Sequence, residues 1–373
     1  MKKLLIINDA DNFGGTDSYT RQLVRWLAEK KTPYELYVKC SRLSDWPMKN
    51  TKGLYGIFIK PISSYNQNYR FKRLVQIILL PITLMALFFD YCRLITKKKC
   101  LYFFINGGIP GSLHQVLLAF FLSLSGRKVI FQSHNFSSKG RFSDIQIYFL
   151  AQSKNIKFLT VSNSCAADIA LKVGKHVSVV YNGTVIPKKF NRIPSPNIRI
   201  GLVCGPHSNK GIDLFLHLSK YYVDDERFVF NLNTFGSGLR NEVLDDIRSN
   251  GKLINVIYDE HDTNKIYSQI DILLNLSSAY ESFGLTVIEA GVRGIPVIVT
   301  PYGGPGEIVN YINTHAVKKC GIVLSELKLE GLVTSIEYMA AEYQSYDSSG
   351  YIEEKFSEHF SHIKLINFLE EII

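Results

Sequence analysis

Residues 277–307 read SSAYESFGLTVIEAGVRGIPVIVTPYGGPGE, and this stretch decides the architecture. The apolar run just ahead of it, at 272–276, has the length and continuity of a parallel strand buried on both faces. A polar turn follows at 277–284, helical period at 285–292, and a second apolar run at 296–299. Strand, turn, helix and strand make one βαβ unit. Its turn lies at the carboxyl end of a strand, where open α/β sheets hold their ligands.

Two glutamates, Glu281 and Glu289, flank the helix start. With Glu289 inside the helix and Glu281 just before it, eight residues at about 1.5 Å rise separate their backbones by roughly 12 Å along the axis. The acid and base of a glycosidase sit closer, at roughly 5 to 9.5 Å. The spacing therefore favours two hydroxyl-binding groups at opposite ends of an extended ligand, and a nucleotide sugar has that shape. Between them Ser282 and the backbone N–H groups of Phe283, Gly284 and Leu285 face the ligand at a helix N-terminus, where the dipole favours a diphosphate. Gly284 permits the close approach. The alternative is a solvated helix face with two surface glutamates, which the spacing, the glycines and the strand-turn-helix context together disfavour.

The pattern E-x-F-G-L-x-x-x-E-A, formed by Glu281, Phe283, Gly284, Leu285, Glu289 and Ala290, is followed by G-x-P at 294–296 and by G-G-x-x-E at Gly303, Gly304 and Glu307. In these residues the chain resembles the retaining glycosyltransferases of family 4 (glycosyl transferases group 1). The resemblance implies an α/β chain of two Rossmann-like doubly wound domains facing a cleft, the GT-B fold. It also implies that Glu281 holds donor-sugar hydroxyls, Glu289 the ribose hydroxyls, and the 283–285 amides the phosphates or sugar.

The rest of the chain fits that organisation. Short apolar strands alternate with helical patterns throughout, at 3–7, 35–39, 101–105, 128–132, 158–161 and 177–181, and again at 198–203, 228–234, 254–258, 271–276 and 296–299. Between the halves lies VIPKKFNRIPSPN, 185–197, with three prolines and no apolar periodicity. The expected domains are 1–186 on the acceptor side, a linker at 187–197, and a nucleotide-sugar domain at 198–351. The helical-period segment 352–373 is expected to pack back on the first domain.

Further site residues follow from the resemblance. Gly205-Pro206-His207-Ser208-Asn209-Lys210-Gly211 after a strand resembles the family's phosphate loop, with Lys210 in the lysine position and Pro206 where an arginine is usual. A guanidinium gives bidentate phosphate contacts that proline cannot; His207 substitutes only when protonated, and an ordinary loop histidine is the alternative. Gly236 in TFGSG matches a G-x-G turn near the nucleotide, and Tyr258 lies where the family holds the nucleobase. Gly14 and Gly15 join the first strand to a helix from about 17 to 30 and resemble the family's G-G loop; the plainer reading is a tight βα connection. His134, in FQSHNF after a strand, matches a histidine beside the reactive centre. His134, Glu281 and Lys210 are the catalytic candidates. Asn182-Gly183 matches a turn before the linker and reads as structural.

Composition sets the remaining bounds. With 373 residues and 46% hydrophobic content, two buried cores are affordable. Six scattered cysteines without a C-x-x-C pair argue against a zinc site or disulfide framework and fit reduced thiols in the cytoplasm. The start, MKKLLIINDADNFGG, has too short an apolar run for a signal peptide and reads as a first strand. Residues 1–196 hold 29 Lys and Arg against 9 Asp and Glu, an excess of +20, whereas 197–373 hold 14 against 24, or −10. The basic half interleaves charge with LVQIILLPITLMALFF at 74–89. At 16 residues this run is short of the roughly 20 that span a bilayer. It reads either as a buried helix or as a helix touching an anionic membrane, with Pro81 kinking or splitting it. Nucleic acid competes for such charge, but no nucleic-acid module accompanies it.

The expected activity is transfer of a sugar from a nucleotide-sugar donor, UDP-sugar favoured, to a glycan or polyprenyl-linked acceptor. The anomeric configuration is retained, and no cofactor or obligatory metal is required. The setting is synthesis of a bacterial cell-surface polysaccharide, capsule or O-antigen, with the enzyme peripheral on the inner face of the plasma membrane. Other GT-B chemistry, such as a sugar-nucleotide epimerase or a phosphorylase, and a non-catalytic nucleotide or lipid binder are the competing readings.

Overall fold

A computed structural model describes residues 2–8, 15–30, 34–39, 51–53, 80–96, 100–106, 108–109, 111–137, 140–234 and 254–372. Gly14 and Gly236 lie outside the described residues, as does the 74–79 part of the apolar run. The chain divides into two compact units, Met1–Val180 with Lys364–Ile373, and Tyr181–Ile363.

In the first unit, β1 (Lys2–Asn8), α1 (Gly15–Glu29), β2 (Tyr34–Lys39), β3 (Thr51–Gly53), α2 (Leu80–Ile95), β4 (Cys100–Asn106), α3 (Leu113–Leu124), β5 (Val129–Ser133), α4 (Arg141–Gln152), β6 (Ile156–Thr160), α5 (Asn163–Val173) and β7 (Val177–Val179) follow in order. The sheet runs β3-β2-β1-β4-β5-β6-β7, parallel throughout. Every residue of β4 and β5 is buried, which is why both read as unbroken apolar runs. The three-residue β3, with the sequence TKG, has no apolar signal and escapes a sequence reading. Ser162 caps α5 by accepting from Cys165 N–H, and Gly174 closes it in the left-handed conformation. Pro81 is the second described residue of α2, and the part of the run ahead of it, on which the expected kink or split depends, lies outside the described residues.

The second unit repeats the plan with β8 (Ile198–Cys204), α6 (Ile212–Tyr221), β9 (Phe228–Thr234), β10 (Ile254–Tyr258), α7 (Thr263–Tyr267), β11 (Ile272–Asn275), α8 (Leu285–Gly291), β12 (Val297–Val299), α9 (Gly304–His315), β13 (Gly321–Val323), α10 (Leu329–Ala341) and α11 (Ser349–Phe356). Its parallel order is β10-β9-β8-β11-β12-β13. Phe215, Phe230, Leu274 and Ile336 belong to its core.

The segment expected as one C-terminal helix is two, α11 and α12 (Glu358–Ile372), separated by Ser357 in extended conformation. The break has a cause: Thr184 N–H donates to Phe356 O at 2.8 Å and its carbonyl accepts from Glu358 N–H at 2.9 Å, so an external strand takes helical groups. Beyond it Leu365 and Leu369 are fully buried beside Leu4, Ile6 and Leu23 of the first unit. The unit boundary falls after Val180, ahead of the expected linker. Within 185–197, Ile193 N–H bonds to Ser268 O at 3.0 Å and Arg192 to Gly294 O at 2.9 Å, which ties that segment to the second unit.

Candidate active site

In the second sheet β8 lies between β9 and β11: the chain leaves β8 towards β9 on one side, and the later strands extend from β11 on the other. The loops leaving the carboxyl ends of β8 and β11 therefore flank the point where strand order reverses, the ligand position of doubly wound sheets. These two loops carry Lys210 and Glu281.

The loops are tied together by backbone. Ser278 N–H donates to Asn209 O at 2.9 Å, and Ser277 Oγ reaches the same carbonyl at 3.3 Å. A single 3-10 turn, Ser208–Lys210, closed by Lys210 N–H on His207 O at 3.0 Å, then turns Lys210 inward. Its Nζ meets Glu281 Oε2 at 3.0 Å across 71 residues of sequence, with both side chains partly buried. The pair puts a cation and an anion side by side at the switch point. A diphosphate competes for the first and sugar hydroxyls for the second.

The turn carrying Glu281 is held from its other side by the G-G-x-x-E segment. Gly304 N–H donates to Glu281 O at 2.7 Å, and a Cβ on Gly303, whose φ is +86°, would lie 2.3 Å from that same oxygen. Gly284, at φ +91°, precedes α8, and a Cβ there would lie 2.9 Å from Pro305 Cγ. Glycine is required at both by conformation and by contact. Phe283 is buried and packs on Tyr181 at 6.0 Å, so its side chain is core while its backbone belongs to the turn. Tyr181 Oη donates to Glu307 Oε1 at 2.8 Å in the first turn of α9. Ser282 and Leu285 are partly exposed beside the turn.

Glu289 sits in α8 with partners that the sequence reading missed. Tyr267 Oη donates to its Oε2 at 2.8 Å. Arg293 stacks its guanidinium 5.0 Å from the Tyr267 ring centre and donates from Nη1 to Glu289 O at 2.7 Å and from Nη2 to Thr263 Oγ1 at 2.8 Å. Desolvation raises the Glu289 carboxyl above the usual range, against the opposing pull of the Tyr267 hydrogen bond and the Arg293 charge. Arg293 had a sequence signal, a cation four residues after Glu289 just past the end of its helix; Tyr267, in a five-residue helix, had none.

The other named residues fall as follows. Gly205 and Pro206 are partly exposed in the β8 loop, and the His207 side chain is exposed. Cys204, at the end of β8, has its thiol pushed up to about 12 by burial, so it stays protonated and is no nucleophile. Tyr258 ends β10 and is 50% exposed. In the first unit Gly15 opens α1, and His134 follows β5, buried, with its ring 4.5 Å from that of Tyr19. Burial pushes His134 down to about 3, and its Nε2 has no hydrogen-bond partner among the described residues. It is a neutral imidazole. Lys210, Glu281 and the 282–285 turn are thus brought together, with Glu289 one helix away.

Residues 198–341 match the family model described as Glycosyl transferases group 1, and the motif around Glu281 and Glu289 lies within that stretch. Over 252 residues the chain is 26% identical to an uncharacterized 41.2 kDa protein in the cps region of Klebsiella pneumoniae, covering 61% of this chain and 68% of that one. Among solved structures, a glycosyltransferase from Rickettsia africae superposes with a TM-score of 0.76 at 16% identity, covering 100% of this chain and 98% of the other. Anabaena HepE in complex with UDP-glucose gives 0.71 at 14% identity, with full coverage of both. The fold is that of the GT-B glycosyltransferases.

Proposed function

We propose that this protein transfers a sugar, with retention of configuration, from a UDP-sugar to a glycan or lipid-linked glycan acceptor during synthesis of a cell-surface polysaccharide, working at a membrane surface. The observation that carries the reading is the Lys210–Glu281 pair at the switch point of the second sheet, with Glu289 held in the adjoining helix. The UDP-glucose bound to HepE supports the choice of donor, and the cps-region relative supports the polysaccharide setting.

In this reading the ribose hydroxyls meet Glu289, the diphosphate takes Lys210 and the turn amides, and the sugar hydroxyls take Glu281. Lys210 stabilises the negative charge that develops on the departing diphosphate. By the family resemblance, the acceptor hydroxyl attacks the anomeric carbon from the face the leaving phosphate departs, and a phosphate oxygen receives its proton. His134, neutral in the first unit, offers a hydrogen bond and not a charge. No cofactor or obligatory metal enters the scheme.

The test is incubation with UDP-sugars in the absence of acceptor, followed by chromatography of released UDP. Slow hydrolysis that Glu281→Ala abolishes supports the donor site; release unchanged by that substitution removes it. Pro206, where the family's arginine would stand, favours the competing reading of a non-catalytic nucleotide binder. That reading expects UDP binding by calorimetry and no transfer across a broad panel of acceptors.

A further inference from the structure

Three adjacent helices of the first unit turn large apolar side chains towards solvent. On α2 one face is buried through Ala86, Leu87 and Leu94, while the opposite face leaves Phe88 and Phe89 62% and 58% exposed. On α3, Phe120 is partly exposed and Phe121 and Leu124, at helical spacing on the outer side, are 41% and 61% exposed. On α4 the outward residues are Ile145, Tyr148 and Phe149, with Tyr148 61% exposed. The three stripes adjoin: the Tyr91 and Phe121 rings lie 6.3 Å apart, bridging α2 to α3, and Phe120 and Phe149 lie 5.5 Å apart, bridging α3 to α4. An amphipathic helix ordinarily turns its polar side to water; here three neighbours depart from that together. Patches of this kind mark interaction sites.

Charge decides what covers the patch. Residues 80–176 hold twelve Lys and Arg and only three acids. Asp90 is buried against His114 Nε2 at 3.0 Å, Asp168 accepts from Ser137 N–H and Oγ at 2.7 and 2.6 Å, and Asp144 lies 3.8 Å from Lys172 Nζ. Arg93 on α2 and Arg141 on α4 are exposed on the helices that carry the stripes. A second copy seated here would set one basic segment against another, whereas an anionic lipid surface complements both the apolar stripes and the Arg93 and Arg141 cations on their helices. No helix among the described residues is long and apolar enough to cross a bilayer, and α2 is anchored by its buried face, so the contact lies in the plane of the surface.

We propose that the α2–α3–α4 face docks flat on an anionic membrane, with Phe88, Phe89 and Leu124 entering below the headgroups and Arg93 and Arg141 engaging them. The inference rests on the proposed function for its biological sense, since it brings the chain to lipid-linked acceptors, but the face belongs to the first unit and the donor-site residues to the second.

The experiment is flotation of the full chain with phosphatidylcholine vesicles, with and without about one third phosphatidylglycerol. The expected result is binding to the anionic vesicles that weakens with salt, and a loss of at least about tenfold in partitioning for Phe88→Ser/Phe89→Ser/Leu124→Ser. The thermal shift produced by UDP is read on the same samples, and an unchanged shift in the triple variant certifies its fold. Equal vesicle binding by both proteins overturns the proposal, as does no binding by the parent chain. A dimer in sedimentation velocity that the triple variant abolishes also overturns it, in favour of a second copy. In case the triple variant fails to fold, Phe88→Trp fluorescence is measured with brominated lipids: quenching supports insertion, and none overturns it. Vesicle binding without any UDP effect would sink the donor reading and leave this face intact.

Discussion

Tyr267 Oη donates a 2.8 Å hydrogen bond to Glu289 Oε2 across 22 residues of sequence, and Arg293 lies over the same phenol ring. One carboxylate is thereby oriented by a helix other than its own. Tyr267→Phe keeps the ring under Arg293 and removes only the hydroxyl. Without the bond the carboxylate loses its fixed orientation, so the dissociation constant for UDP should rise, by up to the roughly tenfold that a bond of about 1.5 kcal/mol represents. Calorimetry with UDP and with 2′-deoxy-UDP checks it. If Glu289 meets the ribose, the variant and the parent differ less with the deoxy ligand; equal losses with both ligands remove Tyr267 from a ribose role.

The raised carboxyl of Glu289 gives a pH dependence with a definite sign. Its folded value lies above the ordinary 4.5, so the folded chain binds the proton more tightly than the unfolded one. The associated stability is present below the unfolded value and lost as pH rises through the folded one. Ribose hydroxyls donate best to the ionised form, so UDP affinity moves oppositely: it grows as pH rises through the folded value. On acidification, affinity should begin to fall above pH 4.5, and Glu289→Gln should flatten that limb. Tyr267→Phe should move the midpoint upward, because it removes a bond that favours the charged form.

Lys210 pairs with Glu281 and is, among the described residues, the cation at the switch point where a diphosphate would lie. Lys210→Ala should lower sugar transfer by about 10²- to 10³-fold, in line with the loss of one donor aimed at developing charge. Lys210→Arg should restore part of it. Steady-state kinetics separate the outcomes: a rise confined to KM would assign Lys210 to ground-state binding alone, and a fall in kcat assigns it to the departing diphosphate.

The motif around Glu281 was legible because its parts are local: strand, glycine turn and helix follow within one βαβ unit, and the spacing needs no tertiary knowledge. The parallel sheets were legible for the same reason, since strands buried on both faces read as apolar runs. What the sequence hid is long-range. Nothing near Asn209 announces that its carbonyl will accept from Ser278, and that bond is what brings Lys210 to Glu281. Tyr267 reads as an ordinary apolar position of a short helix until Glu289 is seen beside it. The helix break at Ser357 depends on Thr184, more than 170 residues earlier in the sequence, and three-residue strands such as β3 and β13 carry too few side chains to declare a period. The outward apolar stripes of α2, α3 and α4 are legible as apolar but not as outward. A hydrophobic helix reads the same whether it is wrapped by protein or turned to solvent.

His134 is neutral at every pH near physiological, because burial holds it at about 3 while the unfolded chain titrates near the ordinary 6.5. A lowered histidine value means that the unfolded state takes up the proton first. Stability is therefore whole above 6.5 and declines as pH falls from 6.5 towards 3, at about 1.4 kcal/mol per pH unit for one such group. His134→Gln should flatten the fall of Tm between pH 6.5 and 4 and leave the Tm at pH 8 less affected. The same variant should show no loss of a kinetic limb near pH 6.5; disappearance of such a limb would mean that His134 titrates there during catalysis.

Arg199 is an arginine inside a parallel strand, 7% exposed, and its guanidinium ties β8 to Asp271, the residue ahead of β11. Nε donates to Asp271 Oδ2 at 2.8 Å, Nη2 to Oδ1 at 3.0 Å, and Nη1 to Ser268 O at 3.0 Å, while Asp271 Oδ2 also accepts from Arg199 N–H at 3.0 Å. The bidentate pair sits at the amino ends of the two strands whose carboxyl ends carry the Lys210 and Glu281 loops, so it sets the floor of the site from the far side of the sheet. Removing Arg199 leaves the Asp271 carboxylate with only the looser Arg192 Nη1, 3.8 Å away, and forfeits three hydrogen bonds. Arg199→Ala should destabilise the chain by about 3–5 kcal/mol in urea denaturation, whereas Arg199→Met/Asp271→Leu, which removes both charges and keeps volume, should cost much less. UDP affinity of the double variant separates fold from register. If the strands keep their alignment without the pair, affinity survives; if the pair sets the register, affinity falls although stability has been recovered.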